Sequence, residues 1–452
     1  MGSLAEGIGK DRIQGRLRNR RGRGSGAICA VITALFVVAA VVPCAGAAPV
    51  QTPVVRVLLA TAQPVVARVP AGATISDERG AIIASPEGAT EISFRLLGDG
   101  VSVSLAGREF TADQIEVRPG RDGDSAWFRL GESRYRGVLR VMRSRDGGIL
   151  AVNALPLEEY LYGVVGCEIP PGWPEEALKS QAVAARSFAM SCRAGALAAG
   201  LPYDLGATAD GQIYGGLDRE DPRTSRAVDA TRGVVLTYAG EPVRAVFHSS
   251  SGGHTENSEF VWSTPFPYLK GVEDSADESP HRSWEFRATA GEIQEMLGAA
   301  GFDLGKLLEV RGLEAGVSGR WSTVLVRGSK REAVLRGADL RRALGLKSTW
   351  FTVTEEGSRW EEVMTGLDVG QAWAVSAGGA VRTVPGGAIA PGSVAVGYRL
   401  SPGGYVFRGR GYGHGVGLSQ WGARTLANRG YKYPDILQHY YLNTRLDNAC
   451  EP

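Results

Sequence analysis

The stretch Leu155–Met190, LPLEEYLYGVVGCEIPPGWPEEALKSQAVAARSFAM, joins three devices in one short run. An apolar segment, Tyr160–Val165, is built to be buried. A single acid follows, Glu168, between Cys167 and Ile169 and ahead of Pro170, Pro171, Gly172 and Trp173. A carboxylate fixed at a rigid bend beside apolar and aromatic groups has its ionised form disfavoured, which suits a general acid. On local sequence alone, a solvated turn glutamate is the competing reading. A helix then opens at Pro174, with Glu175 and Glu176 where the helix dipole favours acids. Leu178, Ala182, Ala185, Ala189 and Cys192 recur at spacings of four and three, a narrow stripe of mostly small residues that lets another backbone approach. Arg186 lies at the stripe's edge, where it either reaches toward a cleft or snorkels to solvent.

Upstream the pattern is one of short strands. Val54-Arg56-Leu58, Glu91–Arg95, Ser102–Ser104 and Trp127–Leu130 alternate or run apolar between Gly, Asp and Pro breaks. Leu139–Met142 and Ile149–Val152 read as a hairpin around Asp146-Gly147-Gly148. Downstream, Val234–Tyr238 and Val243–Phe247 read as a hairpin across Gly240, ending in the polar run His248-Ser249-Ser250-Ser251-Gly252-Gly253-His254. A strand that stops at such a loop places side chains at a sheet end, a common home for sites. Trp262 and Pro265–Lys270 add aromatic surfaces of the kind that bind sugars.

Between about Ser283 and Pro402 the chain has its own helices (Ala290–Ala300, Gly337–Leu344) and strands (Trp321–Val326, Ala333–Leu335) but no catalytic constellation, and it reads as an insertion. After it comes GRGYGHGVGLSQWGA, Gly409–Ala423. Glycine at every second position is not the GxGxxG dinucleotide pattern, so a Rossmann site is rejected. The loop precedes a helix, Ser419–Asn428, whose N-terminus can bind an anion. His414 on this glycine scaffold lacks an apolar face around it, which points to function.

Composition narrows the classes. The 452 residues are 44% hydrophobic and 22% charged, enough for a sizeable core in two or three lobes. A formal net charge of +2, with much of the positive charge in the basic N-terminus, gives no electrostatic case for nucleic acid. Residues 1–48 read as a targeting segment. A basic run leads into the uncharged Ala27–Val42, which is short for a span of about 20 residues, and Ala45 and Ala47 fit cleavage after Ala47. A signal anchor with a cytoplasmic basic end is the alternative, and only that would tie the protein to the membrane. Either way the body is exported to the cell envelope, in the periplasm or on the outer face of the cytoplasmic membrane. Outside the export segment lie three cysteines, Cys167, Cys192 and Cys450. Helix rise carries Cys192 away from Cys167, which argues against that pair. No Cys/His spacing suggests structural zinc. There is no GxSxG elbow for a serine hydrolase and no HExxH for a metalloprotease.

Three separated blocks resemble the stage II sporulation protein D (SpoIID)/LytB family of cell-wall proteins. They are the opening stretch, AVFHSSSGGHTENSEFVW with PYLKGVEDS, and GRGYGHGVGLSQWGARTLANRGYKYPDILQHYY. The likeness runs over roughly residues 52–446. It implies a lytic transglycosylase that cuts glycan strands from which the stem peptides have been removed, with Glu168 at the family's catalytic position. It also brings Arg186, Tyr268, Lys270 and Asp277 to the cleft, and His248, Ser249, His414 and Gln420 are grouped with them as substrate-binding residues. Gly166-Cys167 stands where many members have Pro-Ser. Some members bind zinc beside a Gln-hydrophobic-Tyr triplet; here the ligand places before Gln212-Ile213-Tyr214 are Gly206, Asp210 and Gly211, so no metal and no cofactor is expected. LytB-type relatives enhance amidases, which leaves a non-catalytic role as the alternative, either an amidase enhancer with a cell-wall amidase as partner or a glycan-binding protein.

The expectation is an α+β protein. A β-rich module at 49–150 packs on a mixed α/β catalytic core at 151–282 and 403–448, with an inserted α+β lobe at 283–402. One carboxylate suffices for the implied reaction: the muramic acid C6 hydroxyl attacks its own C1, so no activated water and no second acid are needed.

Overall fold

The computed structural model describes residues 52–448 apart from 106, 121–125, 209–210, 276, 358, 366–372, 376–380, 384–394 and 402. The targeting segment, with Cys29 and Cys44, and also Asp210 and Cys450, lie outside the described residues.

The fold is mixed α+β. Its N-terminal half is two antiparallel-rich sheets. One has seven strands, ordered Leu205–Gly206, Val54–Ala62, Ile149–Pro156, Val138–Arg143, Gln114–Arg118, Thr74–Asp77 and Ile82–Ala84. The other has six, ordered Ser133–Tyr135, Phe128–Leu130, Val65–Val69, Thr90–Leu97, Gly100–Leu105 and Arg108–Ala112. Alternation along Val65–Val69, buried at every second residue, is the pattern of a sheet with one face in the core. The hairpin expected around Asp146-Gly147-Gly148 forms, between Val138–Arg143 and Ile149–Pro156. Ile149–Pro156, by contrast, is buried along nearly its whole length, because helices cover the face that the hairpin would otherwise expose.

Those helices are α1 (Leu157–Glu168) and α2 (Glu175–Ala198). The expected stripe of α2 packs into the first hydrophobic core with α1 and the sheets. Its opposite side, Val183, Ala184 and Phe188, enters a second core with Leu236, Val416 and Leu418. Buried on two sides, α2 is the central spine. Behind it come α3 (Pro222–Ala230), the single-turn α4 (Glu259–Trp262), α5 (Ala290–Ala299), α6 (Gly337–Leu344), α7 (Gln420–Asn428) and α8 (Tyr433–Tyr440). The helices α7 and α8 close the second core.

The expected hairpin across Gly240 is only partly formed. Val234–Tyr238 pairs with just Glu241–Pro242 on that side, and its long partner is the C-terminal Arg445–Asn448. The chain leaves the sheet at Val243 and turns inward, so that Phe247–His248 instead runs parallel to Leu418–Ser419. This turn brings the serine-rich loop against the glycine-rich one.

The third core gathers α5, α6 and the Leu307–Ala315, Trp321–Gly328 and Glu332–Arg336 sheet. Gly404–Gly409 lies between Trp284–Thr289 and Phe351–Glu356 and so belongs to the same core. Buried groups fasten this part to the loop around His254. Glu256 accepts from the Val317 and Ser318 amides at 3.0 and 3.2 Å and from Ser318 Oγ at 2.6 Å. Arg320 donates to the Ser251 and His254 carbonyls at 2.6 and 2.8 Å. Among the described residues no helix is long and apolar enough to cross a membrane.

Candidate active site

Glu168 is the last residue of α1, not a residue of the bend that follows. The carbonyl end of a helix carries partial negative charge and so disfavours a carboxylate. Glu168 Oε1 accepts from the Ile213 amide at 2.8 Å. Burial raises the pKa, and that amide opposes the rise. No lysine or arginine pairs with it among the described residues. The site therefore favours the protonated acid at higher pH than an exposed glutamate would.

The Gln212-Ile213-Tyr214 triplet acts as the bracket that holds this acid. Tyr160 donates to Gln212 Oε1 at 3.0 Å, and Gln212 Nε2 donates to the Ala185 carbonyl at 3.2 Å. Tyr214 donates to Asn153 Oδ1 at 2.9 Å. With both neighbours locked into the first core, the Ile213 amide is fixed on the carboxylate. Sequence reasoning treated the triplet as a marker for metal and missed this role, which a lone backbone amide does not advertise. Among the described residues no group of three or more His, Cys, Asp or Glu side chains is gathered to hold a metal.

From the other side, Gln420 Nε2 donates to the Glu168 carbonyl at 3.0 Å and to Gln181 Oε1 at 3.3 Å. This bond joins the glycine-rich loop and α7 to the end of α1. Next to it the Trp173 and Trp421 rings meet edge-on at 5.0 Å, with the Arg424 guanidinium over both. The Trp421 amide donates to the Ser249 carbonyl at 3.0 Å, which places the serine loop alongside. Ser419 Oγ accepts from the Ser251 and Gly422 amides, so the helix start is largely committed to the protein itself.

His248 and His414 stand next to each other, ring centroids 5.4 Å apart, and one residue fixes both. The Val416 carbonyl accepts from His248 Nδ1 at 3.1 Å, and the Val416 amide donates to His414 Nδ1 at 3.1 Å. His248 therefore presents an unprotonated Nε2, buried and without a partner. Burial and nearby arginines hold both rings neutral, His414 with a pKa of about 3. The alternating glycines have a steric cause. Gly413 and Gly415 have φ of 111° and 85°, and a Cβ on Gly415 would lie 2.3 Å from Arg320 Nε.

Four residues expected at the cleft are engaged by partners within the protein. Arg186 is fully buried, in a bidentate pair with Glu158 at 2.7 and 3.0 Å, and it also donates to the Val228 and Val234 carbonyls. Its place in the core leaves no donor for a ligand. Tyr268 lies in the second core, accepting from the Arg244 amide at 3.1 Å. Lys270 Nζ is bound to Glu259 at 2.7 Å. Asp277 accepts from Ser250 Oγ, Ser251 Oγ and the Gly252 amide, clamping the serine loop, while Asp274 takes Ser251 Oγ and the Tyr440 hydroxyl. Cys167 and Cys192 are free thiols, and burial pushes both pKa values up, so neither is an activated nucleophile.

The comparisons with known proteins agree with the blocks seen in the sequence. A family model described as stage II sporulation protein matches residues 145–238, the segment that holds α1, α2 and the triplet. Stage II sporulation protein D of Bacillus subtilis is 30% identical over 313 residues, covering 66% of this chain and 76% of that protein. An uncharacterised protein of Brachyspira hyodysenteriae is 28% identical over 314 residues (70% and 72%). The amidase enhancer of Bacillus subtilis is 29% identical over 307 residues, 63% of this chain but 40% of that protein. The chain belongs to the SpoIID/LytB family. Its function is accordingly a cell-wall-related one.

Proposed function

We propose that this protein is an exported lytic transglycosylase that cleaves peptidoglycan glycan strands, preferably peptide-free ones, with Glu168 as the only acid and base. The observation that carries the reading is a desolvated carboxyl group at a helix C-terminus, held by one amide and, among the described residues, unpaired with any cation. The protonated Glu168 donates its proton to the glycosidic oxygen, and the bond from that oxygen to the muramic C1 breaks. The C6 hydroxyl of the same sugar then bonds to C1, and the Glu168 carboxylate takes the hydroxyl proton. The products are a free 4-hydroxyl and a 1,6-anhydro end, and the acid is regenerated. Trp173 and Trp421 offer apolar faces for the sugar rings next to the acid.

An activator of amidases is the second reading, favoured by the likeness to the amidase enhancer. Mass spectrometry of denuded glycan incubated with this protein alone, and of intact peptidoglycan incubated with a cell-wall amidase and this protein, separates the two. Anhydro ends from the protein alone support the enzyme. Faster amide cleavage without anhydro ends supports the activator and removes the enzymatic reading.

A further inference from the structure

We propose that the cavity between α4, the His414 loop and the inserted segment binds a carboxylate through Arg341. The cavity is about 210 Å³, and α4, His414, Trp321, Thr349 and Arg341 line it. Arg341 Nε donates to the Leu346 and Lys347 carbonyls at 3.1 Å each, which fixes the plane of the guanidinium. Among the described residues no carboxylate bonds it, although burial already works against its charge. Of the other charged groups on the wall, Glu259 is bound to Lys270 and Arg336 to Asp339, while Glu314 keeps its charge and accepts from Thr323 Oγ1 at 3.4 Å. Both nearby histidines are neutral and feel the Arg341 charge, so neither ring adds a second cation beside the guanidinium.

A half-buried guanidinium with its terminal N–H groups uncommitted is the natural receptor of a planar monoanion. The acids on the wall weigh against a phosphate or another polyanion. Arg186 and Lys270, the cations that the sequence offers for this task, are each neutralised by a glutamate. The choice of ligand rests on the glycan reading above: the wall polymer offers a carboxylate on the lactyl group of a peptide-free muramic residue and another at the end of a stem peptide.

The test is saturation-transfer NMR and calorimetry on the whole protein with N-acetylmuramic acid, D-alanyl-D-alanine, N-acetylglucosamine and inorganic phosphate. At least one of the two carboxylates binds, while N-acetylglucosamine and phosphate do not. Arg341→Gln weakens that binding at least tenfold, and so does Ala338→Leu, which narrows the cavity while keeping the arginine. Binding of N-acetylmuramic acid alone assigns the lactyl group, and binding of the dipeptide alone assigns the stem peptide. Binding of neither, or binding unaltered in both variants, overturns the site. Because no turnover is measured, the site can fall while Glu168-dependent cleavage stands, and the reverse.

Discussion

Glu168 keeps its proton to higher pH than an exposed glutamate because burial and the carbonyl end of α1 outweigh a single amide bond. Its pKa is raised on folding, so its stabilising contribution is fully present below the unfolded value of about 4.3 and is lost as pH rises through the folded value. Two outcomes follow. The limb of kcat/KM that reports the acid form falls at a pH above the ordinary glutamate range. Glu168→Gln, which keeps an oxygen for the Ile213 amide, unfolds at the same or higher temperature than wild type at pH 7, with the difference shrinking below about pH 4; calorimetry across pH checks this. Arg186 behaves oppositely. Its removal leaves Glu158 buried and unpaired, so Arg186→Ala costs about 3–5 kcal/mol in denaturant unfolding, rather than a selective loss of glycan affinity. Sequence showed that the chain stops after this acid, since proline, glycine and tryptophan follow it. It misplaced Arg186, because spacing tells which side of a helix a residue is on but not whether a second element, here α1 with Glu158, covers that side. Asp277 and Lys270 each hold a partner that sequence does not show, because a polar residue in a loop looks free until its partner is seen.

At the scale of elements, α1 and the turn at residues 215–219 approach so closely that a side chain cannot pass between them. A Cβ on Gly166 would lie 2.0 Å from the Arg219 carbonyl oxygen. Gly166→Ala, which in an exposed helix would stabilise, is therefore expected to destabilise by about 1–3 kcal/mol through overpacking, and equilibrium urea unfolding measures it. A neutral or stabilising result would mean that the turn moves freely and does not brace the Ile213 amide. Elements with their own periodicity were legible: the Val138–Arg143 hairpin, α5, α6 and the reach of α7. The Gly240 hairpin was overextended, because Val243, Ala245, Val246 and Phe247 satisfy a strand pattern while serving a second core. The two-sided burial of α2 was hidden by Ser180, Gln181 and Ser187, polar residues that are buried with partners inside the fold.

The described molecule is organised as three cores that meet at the two loops carrying His248 and His414. Gln420 connects them to the acid, and Glu256 and Arg320 fasten the inserted part to the serine loop. Glu256→Ala leaves three amides and a hydroxyl without their acceptor, at about 1–3 kcal/mol for a buried unsatisfied group. Limited proteolysis is then expected to cut within 283–402 faster than in wild type, while the first core stays protected. Equal cleavage would show that Glu256 is not the fastener. The central claim is chemical, and product analysis on denuded peptidoglycan tests it most directly. Wild-type protein is predicted to generate 1,6-anhydromuramic ends and Glu168→Gln, folded as judged by its unfolding transition, none. Undiminished anhydro product from the Glu168→Gln protein would contradict the account.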